Sequence, residues 1–290
     1  MGPLHGVVVA DFSRVLAGPY ATMTLGDLGA TVIKVERPGS GDDTRSGGPP
    51  GVGEASTYYL GVNRNKKSIA LDLRDEGDRA VALKLAMNAD VMVQNFKPGG
   101  LDKFGLGAAE MLRRHPSLVY CSINGFGTGP AGSVLPGYDL LVQASSGLMS
   151  ITGAPDGPPF KVGVALVDHI TGLQAVVGIM AALRHRDRTG EGQHVEISLM
   201  GAALAALLNQ GSGFVVAGAV PGRLGNRHPS IAPYQTFAAA DGHFVLACGN
   251  DAQFERTATV AGLPELALDP RFADNTARVA NIDELESVLT

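Results

Sequence analysis

The chain has 290 residues, 45% of them hydrophobic, a formal net charge of −5 and a pI near 5.8. That is enough apolar material for a sizeable core, which excludes a disordered chain and fits one large domain or one and a half. An acidic balance without a long basic run excludes a nucleic-acid footprint or a polybasic membrane patch, so any anionic partner must be held by a few local cations.

At the N-terminus, "MGPLHGVVVADF" lacks a charged leading region and its apolar stretch is too short for a signal peptide or a membrane span. Gly6 stands where N-myristoylation wants Ser or Thr. "GVVVADF" (6–12) reads as a strand, "GPYATMTLGDLGA" (18–30) as a helix ended by glycine, and "TVIKVE" (31–36) as a second strand, a β-α-β unit. "PGSGDDTRSGGPPGVG" (38–53) is a Gly/Pro-rich loop longer than a connector needs, hence a candidate functional loop. The pattern resumes with "KSIALDL" (67–73), a helix near 75–88, "DVMVQNF" (90–96), a helix near 107–114 and "SLVYCSI" (117–123). Strands alternating with helices predict a parallel sheet covered on both faces.

Two more helices are expected at 138–150 and 169–186, then a strand at "GQHVEISLM" (192–200) and one Ala/Leu-rich helix up to about Val216. Composition shifts to Gly, Pro and cations near "GAVPGRLGNRHPSIAP" (218–233), which marks a linker. "YQTFAAADGHFVLACG" (234–249) predicts a hairpin turning at Asp241-Gly242, followed by a helix from about Asp251. The final "NIDELESVLT" stops inside a helical pattern, so truncation at the C-terminus is expected. The predicted fold is α/β: a Rossmann-like parallel-sheet large domain over 1–217, a linker over 218–232, and a smaller, partial α+β domain over 233–290.

Cys121 and Cys248 lie far apart, each after an apolar run, and read as buried reduced thiols; a reducing compartment, cytoplasmic, is the expected location. Glu36 ends the second strand where a ribose-binding acid would sit, yet "DFSRVLAGPY" contains no G-x-G-x-x-G and no Walker lysine motif occurs. The seven histidines show no metal-ligand spacing, so no metal is expected, and no G-x-S-x-G elbow supports serine hydrolysis.

A parallel sheet would bring Arg37, Arg74, Asn95, Phe96, Lys97 and Lys103 to its carboxyl edge, where open α/β sheets bind ligands. Together they could hold a phosphorylated, adenine-bearing ligand by charge and stacking. Taken singly, Arg37, Arg74 and Lys97 read as solvated cations and Phe96 as core. "KVGVALVDHITG" (161–172) places Asp168 after an apolar run and before a long apolar helix, where burying its charge is expensive. It either caps that helix or does chemistry, and "VDHITG" alone favours the cap.

The stretches "DFSRVLAGPYATMTLGDLGATVIKVERPGSGDDTR", "NRNKKSIALDL", "NFKPGGLDKFGL" and "ALVDHITG", in this order, resemble the class III CoA-transferase family, which includes formyl-CoA transferases and α-methylacyl-CoA racemases. The resemblance runs from about residue 4 to residue 280, and members of the family continue past the position of Thr290. It implies that Asp168 is a nucleophile that carries first an acyl group, as a mixed anhydride, and then CoA, as a thioester. An aspartate starts from about 3.9, so a rise of about 2 by desolvation would leave it ionised at neutral pH. The helix that follows would hold the charged form with its N-terminal N–H groups.

The resemblance further implies CoA contacts at Arg37, Leu71, Arg74, Asn95, Phe96 and Lys103, with CoA as substrate and no tightly bound cofactor. Racemases carry a histidine at the place of Tyr138, and an unperturbed tyrosine, near 10, is a poor base at pH 7, so the transferase branch is favoured. Tyr138 and Asp139 are then substrate-side candidates; otherwise Tyr138 packs and Asp139 caps its helix. Leu16 replaces a glutamine of formyl-CoA transferase, and "GRLGNRHPS" (222–230) stands nearest to that enzyme's tetraglycine loop. Both departures disfavour oxalate and formyl-CoA and favour a larger dicarboxylate, with Arg14, Arg45, Arg223 or Arg227 as partners for its distal carboxylate. The implied partners are an acyl-CoA, a small carboxylic acid and a second copy of the chain in an interlocked homodimer. The alternatives are an acyl-CoA racemase or epimerase and an inactive CoA-binding fragment.

Overall fold

Val9, Val91, Val93, Val119 and Cys121 join one hydrophobic cluster and Ala10, Met92 and Tyr120 another, all at most 1% exposed. Because successive strand residues face opposite ways, such strands need cover on both faces. The computed structural model, which describes residues 1–53 and 55–290, supplies it. In chain order the sheet elements and helices are β1 (Val8–Asp11), α1 (Ala17–Asp27), β2 (Thr31–Glu36), α2 (Thr57–Asn63), β3 (Lys66–Ala70), α3 (Glu76–Met87), β4 (Val91–Gln94), α4 (Ala108–Arg114), β5 (Val119–Asn124), α5 (Asp139–Ser145), α6 (Leu166–Thr189), β6 (His194–Ser198), α7 (Leu199–Ala206) and α8 (Leu208–Ala217).

The six strands pair in parallel in the order β3-β2-β1-β4-β5-β6. This is the doubly wound arrangement, with the strand order reversing between β1 and β4. Residues of α1, α5, α6 and α7 build one core with the sheet, and residues of α3 and α4 the other. α6 approaches α1 so closely at Gly172 that a Cβ there would lie 2.8 Å from the Ala17 carbonyl oxygen. By length and apolarity α6 could cross a bilayer, but Val167, Thr171, Ala175, Ile179 and Ala182 along it are buried.

The helix expected at 138–150 spans only Asp139–Ser145 and the one expected at 169–186 runs from Leu166 to Thr189, and two further boundaries differ for a visible reason. The Ala/Leu-rich helix is two helices meeting at 82°, because Leu208 takes a φ of +42°, which an α-helix cannot continue through. β6 ends at Ser198 because that side chain accepts the Gly201 N–H at 3.0 Å and starts α7.

Residues 149–161 and 218–290 form a second compact unit. Its hairpin, β7 (Tyr234–Ala239) with β8 (Gly242–Ala247), pairs Ala239 with Gly242, so Ala240 and Asp241 make the turn and Gly242 already belongs to the strand. α9 (Asp251–Val260), α10 (Asn275–Ala280) and α11 (Ile282–Leu289) follow. Phe254, Ala258, Leu266, Phe272 and Leu285 form its core. The guanidinium of Arg278, fully buried, lies over the Phe254 ring and donates to the Ala232 and Phe272 carbonyls and to Asp251. Residues 149–161 are tied to this unit by the Gly225 N–H on the Gly153 carbonyl, 3.0 Å, and by Arg223 on the Ala154 carbonyl, 3.2 Å.

Candidate active site

Open α/β sheets leave a crevice where the strand order reverses. Here the register pairs Asp11 with Val93, so the segments after β1 and β4 leave the sheet side by side. Asn95 joins them: its Oδ1 accepts the Arg14 N–H at 2.8 Å and its Nδ2 donates to the Arg14 carbonyl at 2.6 Å. The next residue, Val15, has a φ of +68°, a strained conformation for a β-branched side chain. Its N–H is held by the Asp42 carboxylate, which also receives the Lys34 ammonium at 2.8 Å with both side chains fully buried. Lys34 donates in addition to the Ser13 carbonyl at 2.8 Å. Asp11 is likewise buried; burial pushes its carboxyl up, but Lys66 and Lys34 outweigh this and hold it at about 2. Two buried ion pairs thus fix the Ser13–Leu16 turn. Lys34, a lysine flanked by Ile33 and Val35 inside the "TVIKVE" strand, is the signal in the sequence that could have found this network.

Glu36, the candidate ribose acid, is engaged within the protein. It receives Arg45 through two bonds of 2.7 Å, Ser68 at 2.6 Å and the Asp42 N–H at 2.9 Å. Burial raises its carboxyl, yet these bonds hold it at about 2.

Arg37, Leu71, Arg74 and Phe96 line one cavity of about 180 Å³ at the carboxyl ends of β2 and β3. A wider cleft of about 330 Å³ is lined by Asn95, Phe96, Tyr138 and Asp168. The two share Arg14 and Phe96, whose guanidinium and ring stack with 5.0 Å between Cζ and the ring centroid. Seven of the nine residues named from the sequence as catalytic candidates or CoA contacts therefore line a pair of adjoining cavities, Asn95 among them in the wider one. Its amide is occupied by the Arg14 backbone. Arg37 is paired with Asp43 and Arg74 with Asp72, 2.8 Å. Lys103 lines neither cavity; its ammonium lies over the Phe104 ring.

The cap reading of Asp168 does not hold. α6 begins at Leu166 with Ala165 in the cap position, which puts Asp168 in the third helical position, inside the first turn. The capping carboxylate comes from elsewhere: Oδ1 of Asp139, the first residue of α5, accepts the Asp168 N–H at 3.1 Å. Asp139 is in turn held by the Gln143 amide, and Gln143 Oε1, fully buried, accepts the Val162 N–H at 2.8 Å. Neither alternative reading of the α5 start holds: Tyr138 is 64% exposed rather than packed, and Asp139 caps α6 rather than α5.

Burial and then the charge of Asp139 push the Asp168 carboxyl up to about 7. That exceeds the rise expected from the sequence, because a second carboxylate sits against the same helix end. Tyr58, which no motif singled out, senses the same pair: burial, then Asp168 and Asp139, push its phenol up to about 12. Part of the cleft lining depends on a close crossing of two segments, since a Cβ on Gly125 would lie 2.4 Å from the Gly137 Cα. Among the described residues no group of three or more His, Cys, Asp or Glu could hold a metal ion.

The chain is 48% identical to acetyl-CoA:oxalate CoA-transferase of Acetobacter aceti and 47% identical to succinate–glutarate CoA-transferase of Agrobacterium fabrum, in each case over 99% of this chain and 74% of the relative. Human succinyl-CoA:glutarate CoA-transferase is 46% identical over 99% of this chain and 66% of its own length. Among solved structures, a CAIB/BAIF family protein from Brucella suis superposes with a TM-score of 0.86 at 48% identity, covering 99% of this chain and 77% of that one. Rv3272 from M. tuberculosis does so with a TM-score of 0.88 at 35% identity, over the same shares of the two chains. The family model described as CoA-transferase family III matches residues 4–290, and the chain belongs to that family.

Proposed function

We propose that the protein moves CoA from an acyl-CoA donor to a small dicarboxylic acid, with Asp168 as the covalent carrier. The observation that carries this reading is a partly buried carboxyl, free of capping duty, in the cleft that adjoins the Arg37–Leu71–Arg74 cavity. Relatives named for succinate, glutarate and oxalate support the acceptor class. The oxalate-named relative is as similar as the glutarate-named ones, so identity alone selects neither acid.

In the proposed sequence an Asp168 oxygen attacks the donor thioester carbonyl and CoA leaves as thiolate, giving a mixed anhydride. The thiolate then attacks the Asp168 carbonyl of that anhydride and expels the donor's carboxylate, leaving an aspartyl-CoA thioester. The acceptor carboxylate attacks this thioester, releasing the thiolate again and forming a second anhydride. Attack of the thiolate on the acceptor's acyl carbon yields the new acyl-CoA and restores the Asp168 carboxylate. Each step exchanges one acyl bond for another, so no oxidant or external proton donor is needed.

This chain's residues supply distinct parts. Arg37, Leu71, Arg74 and Phe96 are the proposed hold on CoA, with Lys103 and Asn95 as its more distant members, Asn95 acting through the Arg14 turn. Asp139 holds the α6 end in place, burial keeps Asp168 poorly solvated and therefore reactive, and Tyr138 lines the cleft. The family reading also carries the homodimer and the cytoplasmic setting as proposals; exposed Leu173, Val177, Phe214, Val215 and Val216 on α6 and α8 are apolar surface that a second copy would cover.

The test is incubation of the protein with acetyl-CoA or succinyl-CoA and a panel of carboxylic acids, with new acyl-CoA followed by mass spectrometry. Formation of the acceptor's CoA ester is expected. Exchange of the α-proton without transfer, or CoA binding without either, would overturn the proposal.

A further inference from the structure

Of the four arginines that the sequence offers for a substrate's distal carboxylate, three are engaged. Arg45 makes two 2.7 Å bonds to Glu36, Arg227 is paired with Asp283 and Glu286, and Arg223 donates to the Ala154 and Ser150 carbonyls. Arg14 differs. Its Nε is buried without a hydrogen-bond partner among the described residues, and its nearest carboxylate, Asp43, stands 3.7 Å from Nη1.

A buried guanidinium N–H without an acceptor is costly, and stability gives no reason to keep it. Everything else about Arg14 is fixed. Asn95 clamps its backbone on both sides, Val15 beside it is held in a strained conformation, and Phe96 lies under its guanidinium plane. Preorganisation of this kind lowers the cost of receiving an anion, and a guanidinium edge matches a carboxylate in a forked geometry. Arg14 lines the same cleft as Asp168. Lys97, the other cation on that lining, is exposed and lacks such fixation.

We infer that Arg14 is the specificity-determining residue of the cleft: it receives the second carboxylate of a dicarboxylic acceptor while the first faces Asp168. This rests on the transferase reading given above. It assigns the preference for a diacid over a monoacid to one side chain, and it makes Asp43 the group that the incoming carboxylate displaces from Arg14.

The experiment compares glutarate with valerate, which has the same number of carbons but one carboxylate, using acetyl-CoA as donor so that the donor carries no second carboxylate. In Arg14→Gln the ratio of kcat/KM for glutarate to that for valerate is expected to fall roughly 10- to 100-fold, the range for a charge-assisted hydrogen bond. Arg14→Lys, which keeps the charge and loses the fork, should fall between. Direct titration of glutarate into each protein, monitored by calorimetry, gives a readout independent of turnover, and circular dichroism confirms folding. An unchanged ratio in Arg14→Gln with glutarate binding intact overturns the inference, as does a loss expressed only in the KM for acetyl-CoA. If the wild-type protein transfers CoA to no acid, the transferase reading falls by itself; loss of glutarate binding in Arg14→Gln would still establish the carboxylate seat, and unaltered binding would remove it.

Discussion

The backbone N–H of Asp168 donates to the side-chain carboxylate of Asp139 across 29 residues of sequence, at 3.1 Å. One acid thus pins the other to the start of α6, and its charge adds to burial in keeping the Asp168 carboxyl near 7. A nucleophilic carboxylate must be ionised, so kcat/KM should rise with pH through a limb near 7. Asp139→Asn retains an oxygen able to accept the N–H and removes the charge. The acid limb of the pH profile is expected to move to lower pH, burial still holding it above an ordinary aspartate; an unmoved limb would mean that Asp139 contributes nothing electrostatic.

Asp168 also makes stability depend on pH. Its carboxyl lies at about 7 in the folded chain against 3.8 for an unperturbed aspartate. Between those values the folded state binds a proton that the unfolded state has released, so this contribution is complete below about pH 4 and is lost as pH rises through 7. Asp168→Asn stays neutral throughout. Its melting temperature should exceed the wild type's by a margin that grows from pH 4 to pH 8, while acyl exchange disappears. A margin independent of pH would show that Asp168 is not titrating as described.

Lys34 and Asp42 form a fully buried pair under the Val15 turn. Removing one member of such a pair leaves the other buried and unpaired, at a cost of about 3–5 kcal/mol. Lys34→Met should lose stability of that order in urea unfolding, and the double variant with Asp42→Asn should recover part of it. A loss below about 1 kcal/mol would be typical of a solvated surface pair instead.

Periodicity carried most of the fold. The short apolar runs in "GVVVADF", "TVIKVE" and "DVMVQNF" placed the strands, because burial on both faces leaves a near-continuous apolar stretch. At the candidate site the sheet-edge argument by itself named Arg37, Arg74 and Phe96, which line a cavity there, whereas Leu71 and the role of Asp168 were named only through the family resemblance. What local spacing could not reveal are contacts made across the fold. The cap of α6 comes from α5 rather than from the residue before it, and the amide of Asn95 is engaged with Arg14, 81 residues earlier. Leu208 shows the same limit: nothing in "LAALLNQGSG" announces a left-handed leucine, so one helix was expected where two meet.

The central claim is that acyl and thioester cargo pass through the carboxyl group of Asp168, and trapping that cargo tests it most directly. The protein, incubated with succinyl-CoA and quenched with hydroxylamine, is digested and its peptides mapped by mass spectrometry. A hydroxamate on Asp168, absent when succinyl-CoA is omitted and absent in Asp168→Asn, is the predicted result. Turnover accompanied by modification of another residue only, or by none, would contradict it.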